Sequence, residues 1–212
     1  MVISLPKITT DTWIKATWEE YLTILNNPIY EQTKGYYHQG YMRIEMTPLG
    51  NPHSRDHFNI IGAITLFAGL KNINLDGHDN CSYRKAGYQE VQPDVSFYIG
   101  DRAELIPWNT SIIDLDEYPV PDLVVEVAAS SLADDKGEKR LIYETLGVQE
   151  YWIIDVENVQ IFAFSIENQG SYRIKTSQVL PELEITTLEE ALRRSRQMNY
   201  GKVSAWLLSQ WS

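Results

Sequence analysis

Apolar positions along this chain recur at two spacings. The stretch TTDTWIKATWEEYLTILNN (9–27) opens on threonine and aspartate capping candidates. It then sets Trp13, Ala16, Trp18, Tyr21, Leu22 and Leu25 at near-helical intervals, which predicts an amphipathic helix. IYEQTKGYYHQGYMRIEMTP (29–48) reads as two strands joined by a glycine-containing turn, the second alternating Met42, Ile44 and Met46 against Arg43 and Glu45. The turn-rich PLGNPHSRDH feeds a helix over about 54–71 with Ile60, Ile61, Ile64, Leu66, Phe67 and Leu70 as its apolar positions. CSYRKAGYQEVQPDVSFYIG (81–100) predicts strand, turn and strand, ending in the apolar run 95–99, and the acidic residues 100–117 read as irregular loop.

YPVPDLVVEV (118–127) predicts a strand over 120–127, and LADDKGEKRLIYETLG a helix over about 134–146 that stops at Gly147. EYWIIDV and VQIFAFSI are two more strands, close enough for a hairpin through ENV; SYRIKTSQVL is another strand candidate, and residues 186–211 supply one or two helices. Strands interrupted by one crossover helix and bracketed by helices predict an α/β fold, a mixed sheet with flanking helices. Residues 119–154 form its parallel βαβ unit.

One strand breaks the apolar pattern. Within 120–127, Asp122 and Glu126 fall on the same face, because side chains alternate along a strand. Two such carboxylates repel and are costly to desolvate.

Composition narrows the setting. A 212-residue chain with 43% hydrophobic residues fits one soluble domain over 1–212. No apolar run approaches the roughly 20 residues that span a bilayer, and MVISLPKITTDTW lacks the basic and apolar regions of a signal peptide. The single cysteine, Cys81, excludes an intrachain disulfide and a CxxC zinc site, so a reduced, cytoplasmic protein with no membrane partner is expected. A net charge of −11 argues against a protein that coats nucleic acid, but it is compatible with an enzyme whose clustered carboxylates meet phosphate through a cation.

The dipeptide PD occurs at 93–94 and again at 121–122, each time leading into an apolar strand. If the two strands are neighbours, Asp94 and Glu126 converge at one end of the sheet, a suitable place for a hard divalent ion such as Mg²⁺ or Mn²⁺. Such an ion would offset the repulsion, activate a water and stabilise a pentavalent phosphate. The following helix adds Lys136, Lys139 and Arg140. Lys136 and Lys139, three apart, share a helical face, with Tyr143 one turn beyond Lys139. Either lysine can serve the site, or both can lie on a solvated face. Asp122 is a strand cap or a site residue. His53 and His57 sit four apart at a helix start, and one of them can line the cleft. Glu45 reaches the site or pairs in solvent. Ser130 and Ser131, outside any GxSxG elbow, cap the loop before the helix.

VQPDVSFYI followed by PDLVVEVAASSLADDKGEKRLIYETLGVQEYWIIDVENVQIFAF resembles the Uma-two family of bacterial proteins in the PD-(D/E)XK nuclease superfamily. The resemblance spans about 30–190 and is most specific over 92–155; it leaves an N-terminal helix within 1–29 and C-terminal helices at 187–212. It implies a restriction-endonuclease-like core, a metal between Asp94 and Glu126, and DNA as substrate. Cutting both strands from one site implies a homodimer. The superfamily's lysine two positions after the acidic residue is replaced by Ala128, and the family's helix lysine corresponds to Lys139, with Lys136 beside it. AASS lacks the family's proline, and Tyr41 stands where its first-strand glutamate falls. Two other readings stand beside the endonuclease: an inactive nuclease-fold module that binds DNA or protein, and an interaction domain built on Trp206, Leu207 and Trp211.

Overall fold

The structure, a computed structural model, describes residues 8–47 and 50–212. Two six-stranded mixed sheets form it. In spatial order the first runs β1 (Ile14–Lys15), β3 (Tyr41–Met46), β2 (Thr33–His38), β6 (Gln89–Val91), β5 (Tyr83–Lys85), β8 (Ile113–Asp114). The second runs β12 (Gly170–Arg173), β11 (Gln160–Glu167), β10 (Glu150–Asp155), β9 (Leu123–Ala128), β7 (Val95–Ile99), β4 (Leu75–Asp79). The helices are α1 (Trp18–Leu25), α2 (Asn51–Leu70), α3 (Leu132–Lys136), α4 (Glu138–Leu146), α5 (Ile185–Ser195) and α6 (Tyr200–Trp211). None is long and apolar enough to cross a membrane.

Alternation along β9 assigns its two faces. Val125 and Val127 pack with Ile64 and Phe67 of α2, Leu188 of α5 and Leu207 of α6, so these three helices cover one face of the second sheet. Val124 points the other way, into a core shared with Tyr36, Tyr83 and Ile113 of the first sheet and with Ile142 of α4. Glu126 belongs to this inter-sheet face. β9 and β10 pair in parallel across α4, as the βαβ pattern predicts. Trp206 and Trp211 pack against the core of the second sheet, and Leu207 is buried within it.

The strand expected to end at 95–99 is two strands in different sheets. Gln92, Pro93 and Asp94 carry the chain from β6 to β7, and proline, lacking an N–H, interrupts the ladder there. The helix expected over 9–27 begins only at Trp18. Thr17 caps it, its Oγ1 accepting from Glu20 N at 3.2 Å while Thr17 N donates to Glu20 Oε2 at 2.7 Å, and Ile14–Lys15 pairs with β3 instead. Residues 134–146 are not one helix either, since the chain breaks at Gly137 between α3 and α4.

α1 covers the outer face of the first sheet, where Tyr21 packs with Tyr37, Met42 and Ile44. Gly35 permits that approach: a Cβ there would lie 2.4 Å from Tyr21 Oη and 2.8 Å from Leu25 Cδ1, and Tyr21 is fully buried. Gly35→Ala is therefore expected to destabilise the fold by about 1–3 kcal/mol through overpacking. Urea denaturation checks this, and an unchanged midpoint would mean that α1 can lift off β2 at little cost.

Candidate active site

β7 and β9 run antiparallel with Val95 opposite Val125. One further step of that register sets Asp94 across from Glu126. Both are buried, and both face the space between the sheets. The first sheet meets them with the polar face of its hairpin. Tyr36 and Arg43 are cross-strand partners, as are Lys34 and Glu45, so alternation puts all four side chains on one surface. The polar side of β3 thus turns inward, while Met46 is half exposed.

Asp94 is held from three sides. Lys34 Nζ forms an ion pair with its Oδ1, Val127 N donates to Oδ2 at 2.7 Å, and His53 Nε2 lies 3.6 Å from Oδ2. Burial opposes the charge, but the His53 imidazole, the Lys34 ammonium and the Val127 N–H outweigh it and hold the carboxyl far below its usual range. Glu126 behaves in the opposite way. Its Oε1 accepts from Tyr143 Oη at 2.8 Å and Tyr36 Oη at 3.2 Å. Burial pushes its pKa up to about 8 against the pull of Lys139, with Asp94 and Asp135 adding to the rise.

Lys139 comes from α4 and is 1% exposed. Its Nζ lies 2.8 Å from Glu45 Oε2, 3.0 Å from Asp135 Oδ1 and 3.7 Å from Glu126 Oε2, and 4.5 Å from the centre of the Tyr36 ring. Burial disfavours the ammonium, yet Glu126, Asp135 and Glu45 more than compensate and raise its pKa well above the ordinary lysine value. Arg43 bridges Glu45 (3.2 Å) and Asp134 (3.3 Å). A cleft of about 300 Å³ opens onto this network, lined by Arg43, Glu45, Asp94, Val127, Ser130 and Ser131 among others. A larger hollow of about 430 Å³ beside α1 gathers no such constellation.

The expected residues therefore divide. Asp94, Glu126, Lys139, Tyr143, Glu45 and His53 come together. His57 turns its Nε2 to the Asp94 carbonyl (3.2 Å) and to Asp79 Oδ1 (3.3 Å), behind the carboxylate pair. Lys136 does not share a face with Lys139, because the break at Gly137 separates them; its ammonium sits over the Phe162 ring, 3.4 Å from the centroid. Asp122 lies at the far end of β9. There it accepts from Ile99 N at 2.8 Å and from Arg102 Nη1 at 2.6 Å, away from Asp94 and Glu126. Since β7 and β9 are antiparallel, the two PD dipeptides mark opposite ends of the pair. Lys34, Tyr36 and Asp135 were missed by sequence reasoning. The period-two spacing of Lys34 and Tyr36 was a usable signal, but nothing local joined that strand to Asp94. Ser131, expected as a cap, instead donates from its Oγ to Asp135 Oδ2 at 2.6 Å.

A divalent ion fits the carboxylate pair in chemistry. The donors are hard oxygens, Asp94 already carries a cationic stand-in in the Lys34 ammonium, and His53 Nε2 beside it has no hydrogen-bond partner. Among the described residues no three His, Cys, Asp or Glu side chains form a ready cage. Any ion would thus be held by the pair and would keep waters, as Mg²⁺ commonly does.

The second sheet thus buries two facing carboxylates, and its crossover helix sets Lys139 beside one of them. The sequence profile of the Uma2 family, described as "Putative restriction endonuclease", matches residues 18–201, and the chain belongs to that family. In fold it is similar to a solved protein described as "a putative nuclease belonging to DUF820 from Anabaena variabilis ATCC 29413", with a TM-score of 0.54 and 18% identity over 90% of this chain and 98% of that one. No curated protein matches the chain.

The Glu126 carboxyl yields a pH prediction for the metal-free protein. Its folded pKa, about 8, exceeds the ordinary 4.5, so the folded state holds the extra proton between these values. Its stabilising contribution is complete below pH 4.5 and is lost as pH rises towards 8, by up to about 1.4 kcal/mol per unit. Asp94 and Glu45, both lowered, act at the acid end, whereas Asp135, Glu90 and Glu150, also raised by burial, share the direction of Glu126, so its part is the difference between the two proteins. Glu126→Gln should flatten the slope between pH 5 and 8 in urea titrations; an equal slope in both proteins would mean that Glu126 is ionised in the folded state.

Proposed function

We propose that the chain is a metal-dependent endonuclease that hydrolyses DNA phosphodiester bonds, with Asp94 and Glu126 as ligands of Mg²⁺ or Mn²⁺. The observation that carries this reading is the β7–β9 register, which buries two carboxylates face to face, with Asp94 lining a cleft and Glu126 behind it. When bound, the ion supplies a polarised water and neutralises charge on the phosphate. Tyr143 and Tyr36 fix the orientation of Glu126 through its Oε1. Lys139 acts as a positioning residue: its raised pKa keeps it an ammonium at neutral pH, which suits it to balance Glu126, Glu45 and Asp135 and unsuits it to act as a base. Arg43 is the cationic side chain on the cleft wall, placed to meet a phosphate. Cutting both strands of a duplex at one site would take two copies of the chain. The engagement of Asp94 by Lys34 favours a second reading, a catalytically inactive module that binds DNA or protein.

Calorimetry with Mn²⁺ and a plasmid-nicking assay on the same proteins separate the two. Asp94→Ala and Glu126→Ala are expected to lose Mn²⁺ binding and nicking together. Nicking that persists in both variants, or is absent from wild type at millimolar Mn²⁺, would sink the endonuclease reading.

Asp122→Ala provides the complementary case. Breaking the Arg102 pair in a buried setting should cost about 3–5 kcal/mol of stability while leaving Mn²⁺ affinity unchanged. Loss of ion binding by a folded Asp122→Ala protein would place that carboxylate in the site after all.

A further inference from the structure

β2 sends Lys34 across the inter-sheet gap to the carboxylate that the endonuclease reading needs most. The side chain is 3% exposed, and its ammonium pairs with Asp94 Oδ1. The other oxygen, Oδ2, is met by the Val127 N–H and approached by His53. Asp94 is therefore satisfied without any bound ion. Lys139, the other buried lysine of the site, has its own three carboxylates and does not contact Asp94.

We propose that Lys34 is a tethered cation that competes with a divalent ion for Asp94 and so sets the affinity of the site. The proposal rests on the metal reading above. A divalent ion on Asp94 would lie within a few ångströms of the ammonium. In a site this buried, like-charge repulsion at such a distance is weakly screened, so the ion must displace the ammonium or bind against its field. The fold offers the displaced lysine a second partner. Glu45 is its cross-strand neighbour on β3, on the same face, and lines the cleft. A swing of the Lys34 stem from Asp94 towards Glu45 needs no change in the backbone, which stays paired in the β2–β3 ladder. Loading of the site is then an exchange of one cation for another.

The test is Mn²⁺ calorimetry on wild type, Lys34→Gln, Lys34→Met, Lys34→Arg and Asp94→Ala. Removing the charge is expected to tighten binding by about tenfold or more, while Lys34→Arg stays within about threefold of wild type. Binding by Lys34→Gln where wild type binds no ion would support the proposal most directly. Equal or weaker binding by Lys34→Gln, with wild-type binding abolished by Asp94→Ala, would overturn it and leave the metal reading intact; Lys34 would then serve only to orient Asp94. If neither wild type nor Lys34→Gln binds Mn²⁺, both ideas fall. Lys34→Met leaves the Asp94 charge unpaired and can fail to fold alone. In that event circular dichroism during a Mn²⁺ titration decides, since recovery of structure supports competition and no recovery counts against it.

Discussion

Carboxyl groups buried side by side are the constraint around which this molecule is arranged. Asp94, Glu126, Glu45 and Asp135 all lie between the sheets at under a tenth of their free exposure. Desolvating even one of them is expensive unless an opposite charge and hydrogen bonds accompany it. The compensating cations come from elsewhere in the chain: Lys34 and Arg43 from the hairpin of the first sheet, Lys139 from the crossover helix. Every cation in the network thus belongs to a different element from the carboxylate it neutralises, except Arg43, which shares β3 with Glu45. The polar centre consequently ties together the two sheets and α3–α4. A buried ionic network of this kind is weak as a source of net stability.

How much of this was legible depends on the range over which each signal acts. The β2–β3 hairpin, the Gly147 helix stop and the β10–β11 pair are encoded within a few residues each, and they stand where the pattern put them. The carboxylate pair was legible because Asp94 leads into one apolar strand and Glu126 interrupts another. Whether the two carboxylates meet depends on strand direction, which no local pattern records. Read as parallel motifs, the two PD dipeptides invite the same role. The antiparallel pairing gives one to the site and the other to Arg102. Lys34 was illegible for the same reason: sixty residues and a change of sheet separate it from its partner.

The crossover helix shows a different kind of limit. Helical periodicity put Lys136 and Lys139 on one face, a sound inference for an unbroken helix. Gly137 breaks the helix between them, so one lysine stacks on Phe162 while the other enters the core. Likewise, the alternation of Met42, Ile44 and Met46 against Arg43 and Glu45 gave this strand two faces without saying which one meets the second sheet. In the structure the polar side faces the second sheet, because the carboxylates there need its cations. Period alone gives the faces of a strand but not which of them a charged neighbour will claim.

Position 128 brings these threads together. The side chain of Ala128 is buried on the same face as Glu126, two residues on, where the superfamily pattern carries lysine. A lysine there would stand on the same strand and face as Glu126. In this chain the ammonium near Glu126 arrives from α4, and a second one arrives at Asp94 from β2. Each carboxylate of the pair therefore has its own cation, supplied on a long, jointed stem from a neighbouring layer. Under the proposed exchange, a side chain anchored in another layer would give way to an ion without disturbing the strand that carries the carboxylate.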